Sequence, residues 1–153
     1  MEFSRVLVAI LKFCAKAKKL IKILFNARKG ERMYRPLSVL VVSHEATTPK
    51  LLAYDLLSYN CSPCVACTHD GARAALRLGQ YDVIFYDAGM GADFARELIS
   101  LSNGTPLVPV ATMFEGRDYK ELEDFGPTLP KPWEPQSLLR VLLQATQGAP
   151  QPR

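Results

Sequence analysis

Apolar positions along this chain change their pattern near residue 36. Between Phe3 and Phe25 they recur at helical spacing. Val6, Ile10, Phe13, Ala17, Leu20, Ile21 and Leu24 project to one face, and Arg5, Lys12, Lys16, Lys18, Lys19 and Lys22 to the other. That pattern predicts an amphipathic basic helix. From Leu37 onward, short continuous apolar runs alternate with helical stretches. Leu37–Val42 is a strand-like run. Thr48-Pro49 suits an N-cap followed by proline at the first helical position, opening a helix that runs to about Tyr59 and stops at Asn60. A short strand over Cys64–Thr68 is expected next, then Asp70 as the cap of a helix ending at Gly79. Tyr81–Asp87 reads as a third strand, and Ala92–Leu101 as a helix stopped by Asn103-Gly104. Leu107–Ala111 is a fourth strand, Arg117–Phe125 a short helix ending at Gly126, and Thr128–Leu129 a weak fifth strand. The last helix spans about Pro135 to Gln147, with a frayed tail over residues 148–153.

The third strand is the most informative. Val83-Ile-Phe-Tyr86 is apolar without alternation, which marks a strand buried on both faces, as in a parallel sheet. The run ends on a carboxylate, Asp87, and turns at once. In open α/β sheets, chemistry collects at the carboxyl ends of such strands, which makes Asp87 a candidate functional acid. Strands alternating with helices through short loops imply an α/β, doubly wound parallel sheet with right-handed crossovers.

Charge divides the chain where the period changes. Residues 1–35 carry ten Lys/Arg against Glu2 and Glu31, whereas the remainder carries nine basic against thirteen acidic residues. The expected organisation is a basic helical leader over 1–35, a domain over 36–147 and the tail. The contents, 48% hydrophobic and 22% charged, are globular values and exclude disordered and collagen-like classes. The leader is not a transmembrane span, because five lysines interrupt it between residues 12 and 22. It has no small-residue cleavage site of a secretory signal. Packing on a partner helix, a second copy or its own domain is the first reading, since the apolar positions fit heptad spacing. An anionic membrane surface is the second. Contact with nucleic acid is the third, and no aromatic or base-reading pattern accompanies the lysines.

Over about 110 residues the ordered motifs of the domain resemble a CheY-like receiver domain of two-component signalling. Asp87 with Met90 is similar to the phosphoacceptor strand end and its turn, and Ala111-Thr112 to the hydroxyl position closing the fourth strand. Lys131-Pro132 is similar to the lysine and proline after the fifth strand, and Asp70-Gly71 with Ala74-Ala75-Leu76 to the opening of the second helix. The resemblance implies a five-stranded flavodoxin/CheY-like fold in sheet order 2-1-3-4-5. It implies Asp87 as phosphoacceptor, Thr112 and Lys131 as contacts to phosphoryl oxygens, and a cis peptide after Lys131. It also implies Mg²⁺ held by Asp87 and the Gly89 backbone, a histidine kinase or phosphotransfer protein as partner, and no enzyme activity of its own. The chemistry suits these types. An aspartate accepts a phosphoryl group as a nucleophile, and transfer relies on positioned charge.

The sequence departs from that pattern in the acidic pocket. The positions matching the metal-holding acidic pair are Ser43 and His44, followed by Glu45. Serine brings no charge, and neutral imidazole is a poor ligand for a hard ion. Protonated His44 would substitute for part of the ion's charge. Glu45 swinging in is the remaining source of negative charge, but alternation at a strand end turns it away from the direction of His44, so it does not simply replace that residue. Met113 stands where the family has a small residue, and Thr128 where it has an aromatic ring. These changes point to a degenerate receiver, with Mg²⁺-dependent phosphorylation of Asp87 slow or absent. The alternative is a pseudo-receiver interaction module recruited by the basic helix.

Cys61, Cys64 and Cys67 form a C-x-x-C-x-x-C run. Odd spacing on a strand alternates faces, and the fourth cysteine, Cys14, lies in the leader, so free thiols in a reducing cytoplasm are expected rather than a metal centre. No glycine-rich loop follows the first strand, which disfavours a nucleotide- or flavin-binding enzyme.

Overall fold

The computed structural model describes residues 35–112, 122 and 124–147. The basic helix over 3–25, Met113, most of the expected 117–125 helix and the tail lie outside the described residues.

Five parallel strands form one sheet: β1 (Leu37–Val42), β2 (Cys61–Ala66), β3 (Val83–Asp87), β4 (Leu107–Thr112) and β5 (Leu129–Lys131). Their order is β2-β1-β3-β4-β5, the expected 2-1-3-4-5. Among the described residues, α1 (Thr48–Leu57), α2 (His69–Leu78) and α3 (Ala92–Leu101) connect the first four strands, α4 (Pro135–Gln147) follows β5, and a 3₁₀ turn spans Ala88–Met90.

The sheet is covered on both faces, as the unbroken apolar run of β3 requires. On one face Val39, Val41, Phe85, Val108, Val110 and Leu129 pack against Leu52 and Leu56 of α1 and Leu138, Val141 and Leu142 of α4. On the other, Leu40, Val42, Ile84, Tyr86 and Ala111 pack against Ala72 of α2 and Phe94, Ala95 and Leu98 of α3. Each buried aliphatic side chain stabilises the fold by about 1.5–3 kcal/mol relative to exposure, so the two layers dominate stability.

Several boundaries move. β2 begins at Cys61, because Leu37 pairs with Cys61 and the ladder then runs residue by residue to Val42 and Ala66. Its Pro63 is tolerated on an edge strand, where one side of the backbone has no ladder to complete. The cap of α2 is Thr68, whose hydroxyl accepts the Gly71 N–H at 2.9 Å. Asp70 lies in the first turn and pairs with Arg73 at 3.0 Å. α1 is preceded by Thr47 without a side-chain cap, and Pro49 sits in its first turn. β5 extends to Lys131, opposite Thr112. The stop after α3 is as expected, with Asn103 at φ 56° and Gly104 at φ 85°, left-handed values that Asn and Gly adopt at least cost.

Candidate functional site

Strand alternation decides which side chains meet. On four strands, the residue two positions beyond an α1/α4-side core residue is polar or charged: Ser43 follows Val41, Asp87 follows Phe85, Thr112 follows Val110 and Lys131 follows Leu129. Paired residues in a parallel sheet share a face, and successive residues alternate. The four therefore reach the carboxyl rim on one side of the sheet. His44, one residue on from Ser43, has the opposite parity.

At the centre is Asp87, whose side chain is only 1% exposed. Its Oδ2 accepts the Ser43 hydroxyl at 2.8 Å. Its Oδ1 accepts the Gly89 N–H at 3.0 Å and lies 3.2 Å from the Lys131 Nζ. His44 Nδ1 stands 3.8 Å from Oδ2, with the imidazole more than half exposed. A buried carboxylate without partners would be strongly disfavoured. Here both oxygens are satisfied by side chains and by the 3₁₀ turn.

Lys131 faces two acids. Its Nζ also donates to Glu45 Oε1 at 3.3 Å. The other oxygen of Glu45 accepts the hydroxyl of Thr48 in the first turn of α1. Burial pushes the Lys131 ammonium toward release of its proton, but the Asp87 and Glu45 carboxylates outweigh it and hold the group above its ordinary value. The Lys131-Pro132 peptide is cis.

The rim thus brings together Asp87, Lys131, Ser43, Glu45 and His44. Thr112 stands at the end of β4 as the register partner of Lys131. The hydroxyl in contact with Asp87 is that of Ser43. Sequence reasoning missed the contact between Glu45 and Lys131. Glu45 shares the parity of Ser43, but it lies past the end of the strand at Val42, where the turn toward α1 sets how far a side chain reaches. The one available signal was Thr48 three residues after Glu45, a spacing at which an acid and a hydroxyl can meet across a helix entry.

The donor set does not fit the Mg²⁺ that the receiver resemblance implies. A hard cation of this kind takes oxygen ligands, preferably charged, in octahedral array. Asp87 already accepts from Ser43, Gly89 and Lys131, the flanking positions offer a hydroxyl and an imidazole, and both oxygens of the Glu45 carboxylate are engaged by Lys131 and Thr48. Among the described residues no group of three or more His, Cys, Asp or Glu could hold a metal ion. That includes the cysteine run, in which Cys61 is buried and Cys64 and Cys67 are exposed, none of the three in a disulfide. No helix among the described residues is long and apolar enough to cross a membrane.

No protein-family model matches the sequence, and no curated protein does. Solved structures do. Chemotaxis protein CheY4 of Vibrio cholerae is 22% identical, with a TM-score of 0.62, covering 72% of this chain and 98% of that one. A putative response regulator from Chloroflexus aurantiacus is 17% identical, with a TM-score of 0.64 and coverage of 72% and 98%. The signal receiver domain of an HD domain-containing protein from Pseudomonas fluorescens is 20% identical, with a TM-score of 0.67 and coverage of 75% and 90%. In strand order, helix placement and these likenesses, the chain from Leu37 to Gln147 has the CheY-like fold of response-regulator receiver domains.

Proposed function

We propose that residues 36–147 act as the receiver module of a two-component phosphorelay, with Asp87 as the phosphoacceptor of an attenuated site that is insensitive to Mg²⁺. The observation that carries this reading is the meeting of Asp87 with Lys131 and Ser43 at the carboxyl rim of a receiver fold. In the transfer step an Asp87 oxygen attacks the phosphorus of a phosphohistidine. An O–P bond forms, the N–P bond breaks, and the histidine nitrogen keeps the electron pair and takes up a proton. The product is an acyl phosphate. Lys131 supplies a fixed positive charge to the phosphoryl oxygens, and Thr112 supplies a hydroxyl from the neighbouring strand. Ser43 replaces an acid with a neutral group, which removes the charge that would recruit a divalent ion. The partner is then a histidine kinase or phosphotransfer protein, and the domain is a substrate of that partner rather than an enzyme. Three cysteines outside any disulfide fit a reducing compartment such as the cytoplasm.

Incubation with acetyl phosphate, in Mg²⁺ and in chelator, tests this by intact-mass analysis. The expected result is slow gain of one phosphoryl group, equal in both conditions and absent in Asp87→Asn. A gain that depends on Mg²⁺, or one that persists in Asp87→Asn, refutes the reading.

A second reading, docking irrespective of phosphate, is favoured by the outer face of α1. Leu51, Tyr54 and Leu57 recur there at helical spacing and are 55%, 73% and 49% exposed. In that reading a helical partner covers this stripe, and the basic segment over 3–25 supplies recruitment to a helix, a second copy or an anionic surface. Binding of the partner that is identical for wild type and Asp87→Asn distinguishes it.

A further inference from the structure

We infer that Glu45 is a latch on the Asp87 pocket, an internal carboxylate that occupies the solvent-facing flank of the Lys131 ammonium and swings away before a phosphoryl group can bind there. The inference rests on the proposed role of Asp87 and adds a regulatory contact that the role itself does not require.

The pocket as it stands is closed. Asp87 is 1% and Lys131 10% exposed at the side chain, so neither meets a bulky anion without movement. Among the described residues, Glu45, 40% exposed, and His44, 56% exposed, lie outermost. Both belong to the short connection between β1 and α1. Glu45 is held at three points. Its Oε1 accepts from Lys131, its Oε2 accepts from Thr48, and its backbone N–H donates to the Ser43 hydroxyl at 3.2 Å. That same hydroxyl donates to Asp87. The loop is thereby tied to the pocket through the groups that a phosphoryl oxygen would contact.

A carboxylate oxygen and a phosphoryl oxygen are equivalent to an ammonium: both are anionic acceptors at hydrogen-bond distance. Binding of one excludes the other from the same flank, and their like charges add repulsion. Phosphoryl entry is therefore an exchange of anions at Lys131, and the strength of the Glu45 contact sets part of its barrier. Because Glu45 is partly exposed, solvent screens that contact and the effect is modest.

The experiment is the initial rate of Asp87 labelling by acetyl phosphate in chelator, where the acetate leaves with its P–O bond broken as the Asp87 O–P bond forms. Glu45→Gln is expected to label about threefold to tenfold faster than wild type, the upper value being the equivalent of roughly 1.4 kcal/mol in barrier. Thr48→Val, which frees one side of the latch without touching the lysine, is expected to fall between the two. Glu134→Gln removes the same charge from an exposed position on the loop after β5 and is expected to leave the rate unchanged. An unaltered rate in Glu45→Gln, an equal acceleration in Glu134→Gln, or no labelling of either Glu45→Gln or wild type overturns the latch. Labelling of Asp87 that ignores Glu45 removes the latch and leaves the receiver reading intact. Failure of every variant, including a Ser43→Asp/His44→Asp double variant in Mg²⁺, removes both.

Discussion

Restoring an acid at Ser43 is the most direct perturbation of this pocket. The Ser43 hydroxyl lies 2.8 Å from Asp87 Oδ2, so the carboxylate of Ser43→Asp reaches nearly the same place. Its charge centre then stands about 4 Å from that of Asp87. With an effective dielectric of about 20, the repulsion is about 4 kcal/mol. Loss of a hydrogen bond to a charged acceptor adds about 1.5 kcal/mol. Lys131 can share its charge between the two acids, and the pair can take up a proton, so the net destabilisation is about 2–4 kcal/mol. For a domain of this size that lowers the melting temperature by about 10–20 °C.

Thermal unfolding followed by circular dichroism at neutral pH measures the loss. The variant is expected to melt far below wild type in chelator and to recover in saturating Mg²⁺, because the second carboxylate completes an oxygen site. Wild type is expected to show no Mg²⁺ response, and Ser43→Asn, similar in size to the aspartate but uncharged, only a small loss. If Ser43→Asp is as stable as Ser43→Asn in chelator, or if Mg²⁺ rescues nothing, then the hydroxyl is not what keeps the metal out and the electrostatic argument fails.

Three further outcomes follow from the same geometry. Lys131→Met leaves the buried Asp87 carboxylate without its cation and is expected to cost about 2–4 kcal/mol at neutral pH by urea unfolding. Burial opposes the lysine's charge, but Asp87 and Glu45 prevail and raise its value, so its contribution is complete below about pH 10.5 and lost as pH rises through the folded-state value. The gap between wild type and Lys131→Met is therefore expected to narrow in strongly alkaline solution. Tyr81 is pushed up to about 12 by burial and then by its hydrogen bond to Cys64. Its stabilising effect is present below the ordinary phenol value of about 10 and fades above it, and an ultraviolet titration of Tyr81→Phe should lack this late-ionising phenol. Thr68→Ala removes the α2 cap and is expected to cost about 1 kcal/mol in chemical unfolding, whereas Asp70→Ala, outside the cap, costs less.

How much of this could be read from residues alone depends on which physical effect positions each one. The central strand was legible because burial on both faces leaves only apolar residues between Val83 and Tyr86, and a carboxylate ending such a run is conspicuous. β2 was harder to read. Cys-Ser-Pro-Cys has the composition of a turn, and its ladder is specified by the partner β1 rather than by its own side chains. The α2 cap was misplaced by two residues because Thr68 and Asp70 are both good cap formers and only backbone geometry chooses between them.

The site itself divides along the same line. Ser43, Asp87, Thr112 and Lys131 reach one rim because a period of two continues the α1/α4-side core pattern to the last residue of β3, β4 and β5 and one residue past β1, an arithmetic available before any coordinates. Lys131 needed one addition, the extension of β5 beyond Leu129 that pairs it with Thr112. Glu45 shares the parity of Ser43 but lies three residues beyond the end of β1, where the path into α1 sets how far its side chain reaches. That is why the loss of the strand-end acids at Ser43 and His44 could be read from the sequence, whereas the contact of the loop acid Glu45 with the lysine could not. Among the described residues of the site, Glu45 is the charged group with the freedom to move, because it combines a contact to Lys131 with a loop backbone and partial exposure.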